Sequence, residues 1–275
     1  MLYQVRQKPK SRFMAAMLGL EVIFHSIVRD VRSMHSNAFM ALGINLFQAV
    51  MFVGVFFLMF MIMGMRAAPL RGDFLLYIMS GIFLYMTHIR AVGAVAGAGG
   101  SASPMHQHAP MNTLVGIIST AVGALYMQLL VALLIVFGYH VVGKPVEIYN
   151  PLGVIGMLIL AWYAGCGVGF IFLAIKPWAP GVVKILTTFY QRANMIASGK
   201  MFVANALPGF MLAMFDWNPL FHAIDQSRGF MFINYVPRYS SWEYTFWVGT
   251  VLIVIGMIGM FYGERSKSIS WSAKG

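Results

Sequence analysis

The chain has 275 residues, of which 60% are hydrophobic and 10% charged, and its mean hydropathy of +0.76 excludes an ordinary water-soluble domain. The net charge of +11 is read first as positive charge on the cytoplasmic side of a membrane protein rather than as a footprint for nucleic acid. A single cysteine, Cys166, excludes a disulfide framework within one chain, and continuous apolar runs argue against a transmembrane β-barrel.

Residues 1–11 are polar and basic, and no cleavable signal is expected ahead of the first apolar segment. Over 12–32 the apolar positions Phe13, Met17, Leu20, Phe24, Ile27 and Val31 step by four and three. That spacing predicts an amphipathic helix lying in the membrane interface. The first span is predicted over 38–65 and the second over 74–98, separated by a turn holding Pro69 and Gly72. A loop at 101–112 carries Pro104, His106, His108 and Pro110, and the third span follows over 113–142. The fourth covers 152–175, and a tight turn through Pro177 and Pro180 leads to a fifth over 185–206.

After it the pattern breaks. Pro208-Gly209 interrupts the helix, and two short apolar pieces follow, separated by Asp216, Asn218 and Pro219. Pieces that short cannot span, so they are expected as two re-entrant helices within 207–240, a form tolerated only against protein or a watery cavity. The last span, 242–262, has Trp242, Tyr244 and Trp247 at one end and Tyr262 at the other, as an aromatic belt places them. The expected fold is therefore an all-α polytopic membrane protein, one domain over 1–275 with six transmembrane helices. Putting both termini in the cytoplasm places twelve of the 19 Lys and Arg residues there. No internal repeat is apparent, so a twofold passage would need two copies of the chain.

Candidate chemistry is sparse. There is no phosphate-binding GxxxxGK[ST] loop, and the eight carboxylates are scattered, so no catalytic residue is assigned. His106 and His108 stand two apart without cysteine or carboxylate partners, so no metal site is assigned, and the 23 Met residues read as apolar filler. Arg192, beside Tyr190, Asn194 and Ser198 at hydrocarbon depth, points to an anionic or hydroxyl-rich substrate, with a structural bond between helices as the other reading. Pro208, Asp216, Asn218, His222, Asp225 and Arg228 read either as a gate at the exit of a conduit or as polar caps on the short helices.

The order of elements, covering almost the whole chain, resembles the type 2 ABC exporter permeases. The similarity is greatest to the capsular polysaccharide export permeases, with O-antigen exporters as cousins. The residues that carry it are the run Arg192-Ala-Asn-Met-Ile-Ala-Ser-Gly-Lys-Met-Phe202, the Leu207-Pro208 break, and Asn218-Pro-Leu-Phe-His-Ala-Ile-Asp-Gln-Ser-Arg-Gly-Phe230. One departure is plain: relatives often carry an Arg and a Glu early in span three, and Ile118-Ser119-Thr120-Ala121 has neither.

The resemblance implies a homodimeric permease in the bacterial inner membrane, working with two copies of a separate ABC ATPase that holds the ATP and Mg. No cofactor is expected in this chain itself. A lipid-linked capsular polysaccharide would pass between the copies along Asn45, Gln48, Tyr190, Arg192, Asn194 and Ser198, and periplasmic and outer-membrane export proteins would take it onward. Ser103, Met105, His106, Gln107 and His108, in the loop 101–110, would couple to the ATPase with help from Arg29 and Asp30. An ABC-2 permease for a drug or lipid is the alternative within transport. A membrane enzyme acting on lipid-linked sugars and a membrane scaffold are the alternatives outside it.

Overall fold

The computed structural model describes Glu21, His25 and residues 38–64, 70, 72–98 and 113–272, and all regular structure among them is helical. In chain order the helices are α1 (Ala38–Ile62), α2 (Phe74–Ala98), α3 (Thr113–Val142), α4 (Pro151–Ile175), α5 (Pro180–Ala197), α6 (Gly209–Phe215), α7 (Pro219–Met231) and α8 (Trp242–Ser272). Five of them, α1 to α4 and α8, contain stretches long and apolar enough to cross a membrane. The chain is a multi-pass helical membrane protein.

Polar caps and prolines set the helix starts. Asp73 Oδ1 accepts from the backbone N–H of Leu75 at 2.8 Å and of Leu76 at 3.0 Å, which fixes the start of α2. Asn150 does the same for α4 through Gly153 N–H at 3.0 Å, with Pro151 at the first helical position. The expected interface helix over 12–32 is described only at Glu21 and His25, which are helical and 3.9 Å apart across one turn.

α2 is the buried centre, with every residue from Leu76 to His88 inside the protein. Its Ser and Thr hydroxyls are satisfied within the helix, Ser80 Oγ by Tyr77 O and Thr87 Oγ1 by Phe83 O, both at 2.7 Å. α1 lays Ala49, Val53, Phe56 and Phe60, spaced by four, three and four, against it and leaves its other face exposed. α4 packs between α2 and α8. A Cβ on Gly165 would come within 2.6 Å of His88 O on α2, and one on Gly167 within 2.8 Å of Gly249 O on α8. Small residues thus let three helices approach closely where burial from water supplies no driving force.

One expectation is corrected here. The fifth span was expected over 185–206, but α5 starts at Pro180 and stops at Ala197, with Ser198 as its C-cap. The stop is made by Gly199, at φ +72, a left-handed conformation that side-chain-bearing residues rarely adopt. The last span lies where it was expected, at Trp242–Gly263, and its helix α8 runs on past it to Ser272.

Candidate functional site

The segment from Ser198 to Ser241, where the short helices lie, is built around Arg228 and Asp225. Arg228, at 0% exposure, is held by three backbone carbonyls. Its Nη1 donates to Gly199 O at 3.0 Å and to Phe202 O, and its Nη2 to Lys200 O. Its guanidinium lies 4.4 Å over the Tyr77 ring of α2. The reason for the left-handed glycine is now visible: the turn at 199–202 aims three of its carbonyls, those of Gly199, Lys200 and Phe202, at one planar fork. Asp225, one turn away, accepts from Tyr235 OH and from Ser240 Oγ at 2.7 Å. No ion pair joins Asp225 and Arg228; each is neutralised by its own dipoles.

Asn218 ties this segment to α5. Its Oδ1 caps α7 through Leu220 N–H at 3.0 Å, while its Nδ2 donates to Asn194 Oδ1 at 2.8 Å and to Ala197 O at 2.9 Å. His222 is held between Asp216 O, 2.6 Å from Nε2, and the Ser241 N–H, 3.0 Å from Nδ1. Nε2 therefore donates, Nδ1 accepts, and the ring is neutral. Burial lowers its pKa below the usual 6.5, opposed by the Asp216 carbonyl and by the charges of Asp216 and Asp225. Pro208 stands just before α6 and has no side-chain bond to give.

The residues expected to line a pathway are divided by the structure. Tyr190 turns inward, its OH 2.8 Å from His88 Nε2, while His88 Nδ1 lies 2.9 Å from Ala161 O. Asn194 and Ser198 are buried. Arg192 is on the opposite side of α5, exposed and without a hydrogen bond to a described residue, in line with the exposed Lys184 and Thr188 at four-residue spacing. Asn45 is half-buried on α1 and donates to Ala41 O at 2.8 Å, and Gln48 is exposed, its Oε1 accepting from Arg90 Nη2. Arg29, Asp30, Ser103, Met105, His106, Gln107 and His108 lie outside the described residues.

Three residues gain importance that sequence reasoning did not give them. His88 joins α2, α4 and α5. Lys200, 3% exposed, points its ammonium into a box of rings, 3.6 Å from the Tyr85 centroid and 4.6 Å from that of Phe56, with no hydrogen bond. Arg90 faces a cavity between helices. The signal available for all three was a polar side chain inside an apolar run.

No protein-family model matches the chain. Two curated sequences from Escherichia coli, both the polysialic acid transport protein KpsM, are 26% identical to it over 184 residues, which is 66% of this chain and 67% of theirs. This likeness supports the kinship with capsular polysaccharide export permeases that the sequence motifs suggest.

Proposed function

We propose that the chain is the membrane permease subunit of an ATP-driven exporter that moves a lipid-linked capsular polysaccharide from cytoplasm to periplasm. The likeness to a polysialic acid transport protein supports a transport permease for polysaccharide export rather than an enzyme. The observation that carries the mechanism is the outward face of α5, where Lys184, Thr188 and Arg192 form an exposed polar stripe. At 18 residues α5 is about 27 Å long, close to the thickness of the hydrocarbon core, yet it lies outside the five helices apolar enough to cross on composition. Cations on a helix at that depth need water, an anion or a second protein surface.

In this reading α5 is the sixth span, and α6 and α7 re-enter the membrane from the periplasmic side without crossing it. Two copies of the chain set their α5 stripes toward a shared passage, with α1 at its edge. Sugar hydroxyls meet Thr188 and Arg192, and the flat faces of Phe189 and its neighbours meet the sugar rings. Movement is driven by a pair of ATPase subunits acting on the loop 101–110 and on the helix around Arg29 and Asp30, with both termini cytoplasmic.

The test is Arg192→Ala in the native host. Surface polysaccharide is expected to be lost, with glycan accumulating inside, while the amount of membrane-inserted protein and its complex with the ATPase stay unchanged. Normal surface polysaccharide in that strain would overturn the pathway role. Turnover of lipid-linked sugar by the purified chain without an ATPase would favour an enzyme instead.

A further inference from the structure

A cavity of ≈ 260 Å³ opens between α1, α2, α3 and α5, and its polar lining is Asn45, Arg90, Gln128 and Gln191. Arg90 stands eight residues before the end of α2, which is about 12 Å along the helix axis and so well inside the span. Among the described residues no carboxylate lies within ion-pair distance of it, and its one polar partner is the neutral Gln48 amide. Gln128 is 5% exposed and makes no hydrogen bond to another described residue. Gln191 Nε2 reaches only a long bond, 3.3 Å, to Ile89 O.

A guanidinium without a counter-charge and a buried amide without a partner are each costly at this depth. A hydrocarbon tail in the cavity would leave both costs in place. An anion rich in acceptor oxygens removes both, because Arg90 supplies charge and a fork of donors and the amides supply further N–H groups. At this volume, below the roughly 300 Å³ where drug-sized pockets begin, the cavity admits a single group rather than a stretch of polymer.

We propose that this cavity is a binding site for one anionic oxyacid group, a phosphate or a carboxylate, with Arg90 as the charged anchor and Gln128 and Gln191 as amide donors. The inference rests on the export reading. On that reading the group is either the phosphate joining glycan to lipid or a carboxylate of the glycan.

Binding is measured on the full-length protein in phosphatidylcholine nanodiscs with three probes: dihexanoyl phosphatidic acid, a glucuronate-containing tetrasaccharide, and uncharged maltotetraose. Wild type is expected to bind at least one acidic probe saturably and not the neutral one. The phosphatidic acid assigns the site to a lipid-linked phosphate, the glucuronate to the glycan, and binding of both keeps the shared chemistry. Arg90→Gln should weaken binding at least tenfold, equivalent to about 1.4 kcal/mol, and Arg90→Lys less. Gly93→Leu serves as the second variant, because it leaves Arg90 in place and fills the cavity: a Cβ at Gly93 meets nothing nearer than Gln191 Nε2 at 3.4 Å. It should abolish binding. Failure of wild type to bind either acidic probe, or wild-type binding in both Arg90→Gln and Gly93→Leu, overturns the site. In cells, loss of surface polysaccharide on deleting the gene but not in the Arg90→Gln strain overturns this inference alone. Surface polysaccharide that survives the deletion overturns the export reading itself.

Discussion

Arg228 and Arg192 lie on either side of the turn that ends α5, and their surroundings are opposite. Arg228 is sealed from solvent, with three carbonyls and an aromatic face around its guanidinium. Arg192 is exposed and has no hydrogen bond to a described residue. Burying a cation is tolerable only when dipoles replace its water, and the backbone at 199–202 is bent to provide them. If α5 is the sixth span, leaving a cation bare on its outside is tolerable only if something else meets it. The first arrangement belongs to a part that must hold its shape, and the second to a surface that awaits a partner.

The contrast predicts a graded set of effects. Arg228→Met should be the most damaging change, since it strands Lys200 O and Phe202 O, each costing about 1–3 kcal/mol when unpaired, and leaves Gly199 O with only the long bond from Phe202 N–H at 3.3 Å. Membrane-inserted, monodisperse protein should fall to a small fraction of wild type by fluorescence-detected chromatography, and Arg228→Lys should not restore it. If the Met variant melts like wild type, the shell around Arg228 carries no stability. Next is Asn218→Ala, which removes a helix cap worth about 1 kcal/mol and leaves Asn194 Oδ1 without its donor, for a loss near 2 kcal/mol in all. Asn218→Asp, which keeps the cap but sets a carboxylate oxygen against Asn194 Oδ1 and Ala197 O, should lose at least as much, and thermal melting of the three proteins orders them.

A smaller effect concerns acidity. The folded protein holds His222 below its usual pKa, so between that lowered value and 6.5 the unfolded chain binds more protons and stability rises with pH. Acidification from about pH 7.5 to about 5.5 should therefore lower the melting temperature, the stability lost being at most about 1.4 kcal/mol per pH unit below the usual 6.5, and His222→Gln should flatten the slope. A slope identical in the variant would assign it to other groups. Arg192→Ala closes the series. It should leave stability unchanged within about 0.5 kcal/mol while removing export, and a marked loss of stability would move Arg192 into the same class as Arg228.

Much of this was legible because helix ends in lipid are written in few residues. Asn218-Pro219 was readable as a helix start and makes the expected cap, and the bounds of α2 and α4, where Asp73 and Asn150 are the caps, lie within a residue of the spans expected from hydropathy. The end of α5 was not legible, because Met201-Phe202-Val203 continues the apolar run past Gly199 and hydropathy does not register a change of φ. Nor could the sequence separate Arg192 from Asn194. Two residues apart on a helix they face different ways, and only the distant Asn218 reveals which side is inside. The Arg90 cavity escaped for a similar reason: its polar members come from four helices, and no local spacing connects Asn45, Arg90, Gln128 and Gln191.

The ring-lined chamber of Lys200 has a use as a reporter. With Tyr85, Phe56 and the turn over Gly81 closed around it, its amine is shielded from water-borne acylating reagents while the 199–203 turn stays seated on α2. If the transport cycle lifts that turn, the amine becomes reactive for as long as the turn is raised. The extent of acylation at Lys200, read by mass spectrometry with and without ATP hydrolysis, would then serve as a clock for a motion that no static picture records.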